Sequence, residues 1–391
     1  MGARSMPTFR EYRPSSQSEE NKQEHPAALY NARRDAGKVR TIKRYGNLFE
    51  KVIDYDNLYA AYEKAAKGKR FKPDVMRTTA RLECILTDIQ NELASGTWKP
   101  QNYYEFELRT EVKRRIVDAP TFRDCIVHHA ILNVVEPLFE KKMIHDSYAN
   151  RVGKGTHKAV LRVKEFLRRK PERVYILQGD VSKYFPSIDH AILKKVISRT
   201  IADERLLALW YAIIGGFNSD TGKGIPIGSP ISQLEAGIYL MELDHFVKES
   251  LHVSCYVRLM DDFILIDEDK AVLEDCHREI LWYLQTQRKL SLNPKTHIYP
   301  AKQGIDFGGY RIWRGYALAR KRNVKAAKIR FKAMSWLYRY GYLTLEDVRS
   351  RVASFLGYMK FCQGKRTTVS TLKHLVLQRR FPWSQWFFNC S

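Results

Sequence analysis

Tyr256-Val257-Arg258-Leu259-Met260-Asp261-Asp262-Phe263-Ile264-Leu265-Ile266 sets two adjacent acids between two runs suited to β-strands. The flanks are apolar or β-branched and the apolar run breaks at the acids, so the stretch reads as a hairpin with Asp261 and Asp262 at its tip. Carboxylates in that position suit a hard divalent cation. An isolated Asp-Asp pair is more often a solvated turn, so the reading depends on the motifs around it.

Upstream, Ile176-Leu177-Gln178-Gly179-Asp180-Val181-Ser182-Lys183-Tyr184-Phe185-Pro186-Ser187-Ile188-Asp189 repeats the logic, an apolar strand delivering one acid, Asp180, into an irregular segment. Two Mg²⁺ ions about 3.5–4 Å apart need oxygen ligands converging from separate strands. Asp180, Asp261 and Asp262 are the candidates. Between them lies Gly224-Ile225-Pro226-Ile227-Gly228-Ser229-Pro230-Ile231-Ser232-Gln233, followed by a helix-like run from Leu234 to Val247. Such a loop can press its backbone against a base pair, because Gly has no side chain to hold a ligand away. An ordinary helix-entry loop is the alternative.

The order of the Asp180 strand, the Gly-Ser-Pro loop, the Met-Asp-Asp hairpin, Leu290-Ser291-Leu292-Asn293-Pro294-Lys295-Thr296 and Phe307-Gly308-Gly309-Tyr310 resembles the motif series of reverse transcriptases over roughly residues 105–315. Within that family the chain most resembles the enzymes of diversity-generating retroelements. The likeness runs through Ile225 to Gly228 with Ser232-Gln233, Ser147-Tyr148-Ala149 with Gly153-Lys154-Gly155-Thr156-His157, and the run from Gly304 to Trp313. Retron, group II intron and antiphage-defence reverse transcriptases share the general series.

The resemblance implies an α/β (α+β) right-hand polymerase with fingers, an antiparallel palm sheet backed by helices, and a helical thumb. The expected boundaries are a polar segment at 1–40, a helical extension at 41–104, fingers at 105–178, palm at 179–315 with fingers elements at 190–223, and thumb at 316–391. In the extension, the apolar spacing around Leu58 and Leu82 is helical, and Gly96 is the expected stop.

It further implies RNA-directed DNA synthesis on a structured template RNA, from deoxynucleoside triphosphates and with Mg²⁺, for which Mn²⁺ can substitute. Asp180, Val181, Asp261 and Asp262 are the implied metal positions, and Lys295 the implied proton donor to the leaving pyrophosphate. Lys113, Arg114 and Arg115 interrupt a strand-like run; the planar fork of an Arg suits phosphate oxygens, and Arg115 is the best candidate for the triphosphate. Phe185 stands where the family has its steric gate against a 2′-hydroxyl, and Ile227, Gly228 and Gln233 belong to the loop that seats the nascent pair. Arg151 and Lys154 are expected at template phosphates, with Thr156 as the N-cap of a helix from Lys158 to Arg169. Phe307, Gly308, Gly309 and Tyr310 resemble the primer grip. His128 and His129 lie on one helix and point apart, so no chemistry is assigned to them.

Two positions depart from better-known relatives. Retroviral enzymes carry Gln where this chain has Ile227, and an apolar residue there implies low fidelity, with errors opposite template adenine in the diversity-generating relatives. Leu259 replaces the aromatic residue that commonly precedes Met-Asp-Asp, which bears on primer-end packing.

Composition agrees with a polyanionic partner, since 67 Lys and Arg against 43 Asp and Glu leave a formal charge of +24. Residues 320–391 hold 16 of those cations against Glu346 and Asp347, interleaved with aromatics expected mostly to fill a small helical core. Six cysteines without CxxC spacing argue against a zinc site or a disulfide framework. With no signal-peptide pattern and no long apolar run, a cytoplasmic home without membrane contact is expected. A small basic accessory protein is the partner implied by the resemblance. Two other readings stay open: a defence enzyme copying a dedicated non-coding RNA, and an RNA-binding scaffold that kept the fold without the chemistry.

Overall fold

The computed structural model describes residues 43–109, 114–218 and 220–379. Segment 1–40, Lys113, Trp383 and Trp386 lie outside them. The described chain begins with helices α1 (Phe49–Ile53), α2 (Tyr55–Ala66), α3 (Pro73–Ala80) and α4 (Leu82–Ser95). Asp54 caps α2 by accepting from the amides of Asp56 and Asn57. Leu58, Ala61, Tyr62 and Ala65 share one buried face of that helix. Gly96 ends α4 at φ 71°, the left-handed stop that the sequence suggests.

A hairpin of β1 (Tyr104–Arg109) and β2 (Arg114–Ala119) leads into α5 (Phe122–Glu140) and α6 (Thr156–Arg169). Thr156 is the first residue of α6 and not its cap. Gly155 holds the cap position at φ 107°, a conformation closed to a side chain of Thr's shape. After β3 (Tyr175–Asp180) come α7 (Tyr184–Ser187), α8 (His190–Ser198) and α9 (Glu204–Gly215). The run expected as one helix from Leu234 to Val247 divides into α10 (Pro230–Tyr239), α11 (Met241–His245) and a π-turn over Phe246–Ser250.

Strands β4 (Tyr256–Leu259) and β5 (Asp262–Asp267), helix α12 (Lys270–Gln287) and β6 (His297–Pro300) complete the main sheet, an antiparallel set in the order β4-β5-β3-β6. Both of its faces are covered, which is why β5 reads as a continuous apolar run with no alternation. Leu177, Phe263 and Leu265 join the cluster that includes Leu273 and Ile280 of α12. Ile176, Val257, Ile264 and Ile266 join Ala159, Val160 and Val163 of α6. Gly179 lies opposite Phe263 in the β3–β5 register, and a Cβ on Gly179 would overlap the Phe263 ring.

A small sheet of β7 (Ile305–Phe307), β8 (Tyr310–Ile312) and β9 (Ala317–Ala319) precedes three helices, α13 (Lys321–Arg339), α14 (Leu345–Lys360) and α15 (Lys365–Leu372). Phe331, Met334 and Val348 form the core of that bundle, with Tyr338 packed against it. Trp336, Tyr340 and Tyr342 are instead 54%, 45% and 70% exposed, so fewer aromatics fill the core than the sequence suggests. No helix among the described residues is long and apolar enough to cross a membrane.

Gly179→Ala should cost about 1–3 kcal/mol, because the added methyl overpacks a buried ring. Gly315→Ala, with no atom within 4 Å of the new carbon, should be close to neutral. Urea unfolding of the two variants checks the contrast.

Candidate catalytic site

The β4–β5 turn consists of Met260 and Asp261, with Leu259 paired to Asp262 across the hairpin. Met260 takes φ 63°, a conformation that costs a non-glycine residue free energy and needs outside support. Arg258 supplies it. This side chain is buried, donates through Nη1 to the Met260 carbonyl (2.8 Å) and through Nη2 to that of Gly237 (3.2 Å), and is held by Asp244 at 2.6 Å through both Nε and Nη2.

On the neighbouring strand Asp180 sits directly opposite Asp262. In an antiparallel pair such residues project to the same face, so β3 and β5 bring two carboxylates together and the turn adds Asp261. Asn293 fixes Asp180 at two points, donating its Nδ2 to Oδ2 (2.9 Å) and its backbone N–H to the Asp180 carbonyl (2.7 Å). In sequence Asn293 is one residue of the 290–296 motif with no evident role, and its place before Pro294 is the one signal it carries. Val181, 2% exposed, bridges Leu292, and an oxygen it offers to a cation is its backbone carbonyl.

Burial, with Asp261 and Asp180 close by, pushes the Asp262 carboxyl up to about 7, and Arg320 offsets part of that. The donor set is hard oxygen and its negative charge is crowded, which fits a divalent cation. Among the described residues no three acidic, His or Cys side chains close into a preformed metal cluster.

Phe185 is half-buried after Lys183, which stands at φ 46°, and its carbonyl accepts from the Ile225 amide (3.1 Å), tying the 224–229 loop to this segment. Ile227 is 38% exposed on that loop. Gly228 meets protein at close range, since a Cβ there would stand 2.6 Å from the Asp118 carbonyl oxygen. Gln233 accepts from Asn150 Nδ2 at 2.6 Å. Lys295 is exposed, and its backbone N–H donates to Oδ1 of Asn293 (3.1 Å), the residue that fixes Asp180. Arg114 and Arg115 open β2, and their side chains are not among the described parts.

The structure turns Arg151 inward, away from the solvent position expected of a phosphate contact. Its side chain is 7% exposed, forks onto Glu140 (2.7 and 2.8 Å) and donates to the carbonyls of Ile144 (2.6 Å) and Ser147 (2.7 Å). Lys154 donates to the His145 carbonyl (2.7 Å) and lies over the Tyr148 ring. Phe307 and Tyr310 are likewise buried, because both fall on the inward phase of their short strands.

The Gly308–Gly309 turn between them packs on protein, a Cβ at Gly308 falling 2.7 Å from Thr156. Tyr310 Oη donates to the Tyr358 carbonyl (3.1 Å) and is left to accept from His157 Nε2 (2.8 Å). Tyr358 Oη in turn donates to the Gly309 carbonyl (2.6 Å), and His157 stacks on Phe361 at 4.3 Å.

An antiparallel sheet covered by helices on both faces, with acids gathered at one end, is the right-hand polymerase fold. The reverse transcriptase (RNA-dependent DNA polymerase) family model matches residues 109–312, and the chain belongs to that family. It is 29% identical over 277 residues to protein YkfC of Escherichia coli strain K12, covering 60% of this chain and 73% of that protein. It is 28% identical over 205 residues to the group II intron-encoded protein LtrA of Lactococcus lactis subsp. cremoris, covering 50% of this chain and only 33% of LtrA. A solved telomerase from Candida tropicalis, in complex with a TWJ fragment of telomeric RNA, aligns with TM-score 0.45 at 14% identity over 74% of this chain and 59% of that chain. Family membership makes the chain an RNA-directed DNA polymerase, a class that generally uses divalent metal ions.

In metal-free buffer the raised Asp262 carboxyl destabilises the fold as pH rises from about 4 to about 7. The folded state keeps its proton through that window while the unfolded state has lost it. Asp262→Asn should remove this slope, gaining about 4 kcal/mol over the parent at pH 8 and almost nothing at pH 4. Thermal melts in a chelator at both pH values read the difference.

Proposed function

We propose that the chain copies a structured RNA into DNA at Asp180, Asp261 and Asp262, and does so with low fidelity in the manner of diversity-generating retroelements. The observation that carries the chemical part is the pairing of Asp180 with Asp262 beside the Asp261 turn. Two Mg²⁺ ions, or Mn²⁺ in their place, held by these carboxylates and the Val181 carbonyl, would neutralise phosphate charge and acidify the primer hydroxyl. The protein's own work is positioning. Arg258 sets the turn, Asn293 orients Asp180, and the crowded carboxylates make the site selective for a cation.

Lys295, an exposed ammonium, is assigned to protonate the departing pyrophosphate. Arg115, with Lys113 and Arg114, is assigned to the triphosphate. Phe185 is assigned to the sugar, its half-buried ring leaving no room for a 2′-hydroxyl. The low-fidelity part rests on Ile227, whose exposed apolar side chain offers the nascent pair no hydrogen bond. The Gly308–Gly309 turn is assigned to the primer backbone. Template RNA, the RNA–DNA hybrid and a small basic accessory protein are the partners in this reading.

Asp261→Ala should abolish extension of a DNA-primed RNA with Mg²⁺ while RNA binding, read by gel shift, is retained. Extension by that variant would remove the catalytic assignment. Phe185→Ala should admit ribonucleotides in single-nucleotide incorporation. Sequenced products of the parent should carry errors concentrated opposite template adenine, and Ile227→Gln should lower them by about tenfold, the worth of one positioned hydrogen bond. Accurate or repetitive products would favour a defence enzyme copying its own RNA.

A further inference from the structure

Ser229 occupies the N-cap position of α10 with extended backbone (φ −82°, ψ 136°), yet its hydroxyl caps nothing. A Ser there ordinarily accepts from the backbone two or three residues on. Here Ser229 Oγ instead meets His128 Nδ1 at 3.0 Å, with both side chains buried. His128 comes from α5, one turn beyond Asp124, and burial pushes its imidazole down to about 3, so it stays neutral at any working pH. Its Nε2 finds no partner in the structure. A buried imidazole that leaves one nitrogen unpaired carries a desolvation cost, and the bond to Ser229 is what it gains in return.

Beyond Gly224, whose backbone pairs with Ile188 and His190, the loop before α10 is fastened at three points. Ile225 donates to the Phe185 carbonyl, Gly228 is pressed against Asp118, and Ser229 is bound to His128. Ile227 lies between these fastenings. The Ser229 N–H donates to the Pro226 carbonyl (3.4 Å), closing a turn over Ile227 and Gly228, and the buried anchors on either side hold that turn in place. Of the three fastenings, only the one to His128 is made from side chain to side chain.

We propose that His128 is a positioning residue for nucleotide selection: through Ser229 it holds the 224–229 loop against the nascent base pair. The inference rests on the reading of that loop as the nucleotide-seating element. It gives work to a histidine whose sequence context suggests none, and it makes selectivity depend on a residue that never touches substrate.

The test uses the full chain with Ser229→Ala, His128→Leu, the His128→Leu/Ser229→Ala double variant and His128→Asn, whose amide can restore a bond near the Nδ1 position. Each apolar single variant should raise KM for the deoxynucleotide and lower the correct-to-incorrect ratio by about tenfold, as expected of one lost buried hydrogen bond, with kcat little changed. The double variant should be no worse than either single, since the two side chains act as one unit, and His128→Asn should recover most of the loss. The double variant leaves no unpaired partner and keeps the fold testable if His128→Leu alone unfolds.

Amide hydrogen exchange at Ile227, Gly228 and Ser229 gives a readout that needs no activity, and it should rise in every variant except His128→Asn. Unchanged exchange overturns the anchor. Raised exchange with unaltered KM and error ratio overturns its role in selection, as does a loss confined to kcat and melting temperature. A parent chain that fails to extend at all counts against the polymerase reading, and the exchange result then decides the anchor alone.

Discussion

The catalytic hairpin depends on the ion pair between Arg258 and Asp244, which are 1% and 0% exposed. Removing two charges from water is costly, and attraction between them repays the cost only when the remaining donors are also satisfied. Here they are. Asp244 accepts from Arg258 and from Tyr256 Oη (2.8 Å), and the guanidinium makes two further bonds, to the carbonyls of Met260 and Gly237. The backbone of Arg258 takes part as well, its N–H donating to the Asp146 carbonyl and its carbonyl accepting from Tyr148. One residue therefore joins the Met260–Asp261 turn, the end of α10, helix α11 and the 146–148 segment. Such a pair adds little net stability, and what it contributes is a single allowed geometry for a turn whose backbone is strained.

From that fixed turn the remaining arrangement follows by register. Once Leu259 opposes Asp262, alternation along β5 sends Phe263 and Leu265 to the α12 face and Ile264 and Ile266 to the α6 face. The β3 pairing then brings Asp180 to Asp262. A slip of one residue would exchange the two apolar sets and part the carboxylates. Packing and chemistry thus select the same register, and Gly179 enforces it by giving the Phe263 ring the volume of a missing side chain.

These strands were legible because they are long, apolar and bounded by acids, and Gly96 was legible because a left-handed stop favours one residue type. Arg258 was not. In sequence it is a lone cation in a strand, ordinarily a solvated edge, and the Asp244 that buries it stands on a helix separated from it by the π-turn. Arg151 failed for a similar reason: a Gly-rich neighbourhood suggests an open phosphate site, whereas Glu140, a full loop away, draws the guanidinium inside. Phe307 and Tyr310 lie on strands too short for their inward or outward phase to be read from pattern. Thr156 missed its cap because a glycine beside it takes a backbone angle that only glycine takes easily. The helix expected from Leu234 to Val247 has a continuous apolar pattern that hides a change of hydrogen-bond spacing.

The hydroxyl chain from His157 through Tyr310 and Tyr358 to Gly309 has a mechanical meaning. It joins α6, the Gly308–Gly309 turn and α14: Tyr310 Oη accepts from His157 and donates to the Tyr358 backbone carbonyl, and Tyr358 Oη donates to the Gly309 carbonyl. The turn is also braced from α13, where Asn323 Nδ2 donates to Tyr358 Oη at 3.1 Å. Helices and turn are therefore bonded to one another beside the stacked rings of His157 and Phe361. The same small sheet is tied toward the carboxylates by Arg320, which pairs with Asp306 of β7 and offsets part of the charge around Asp262.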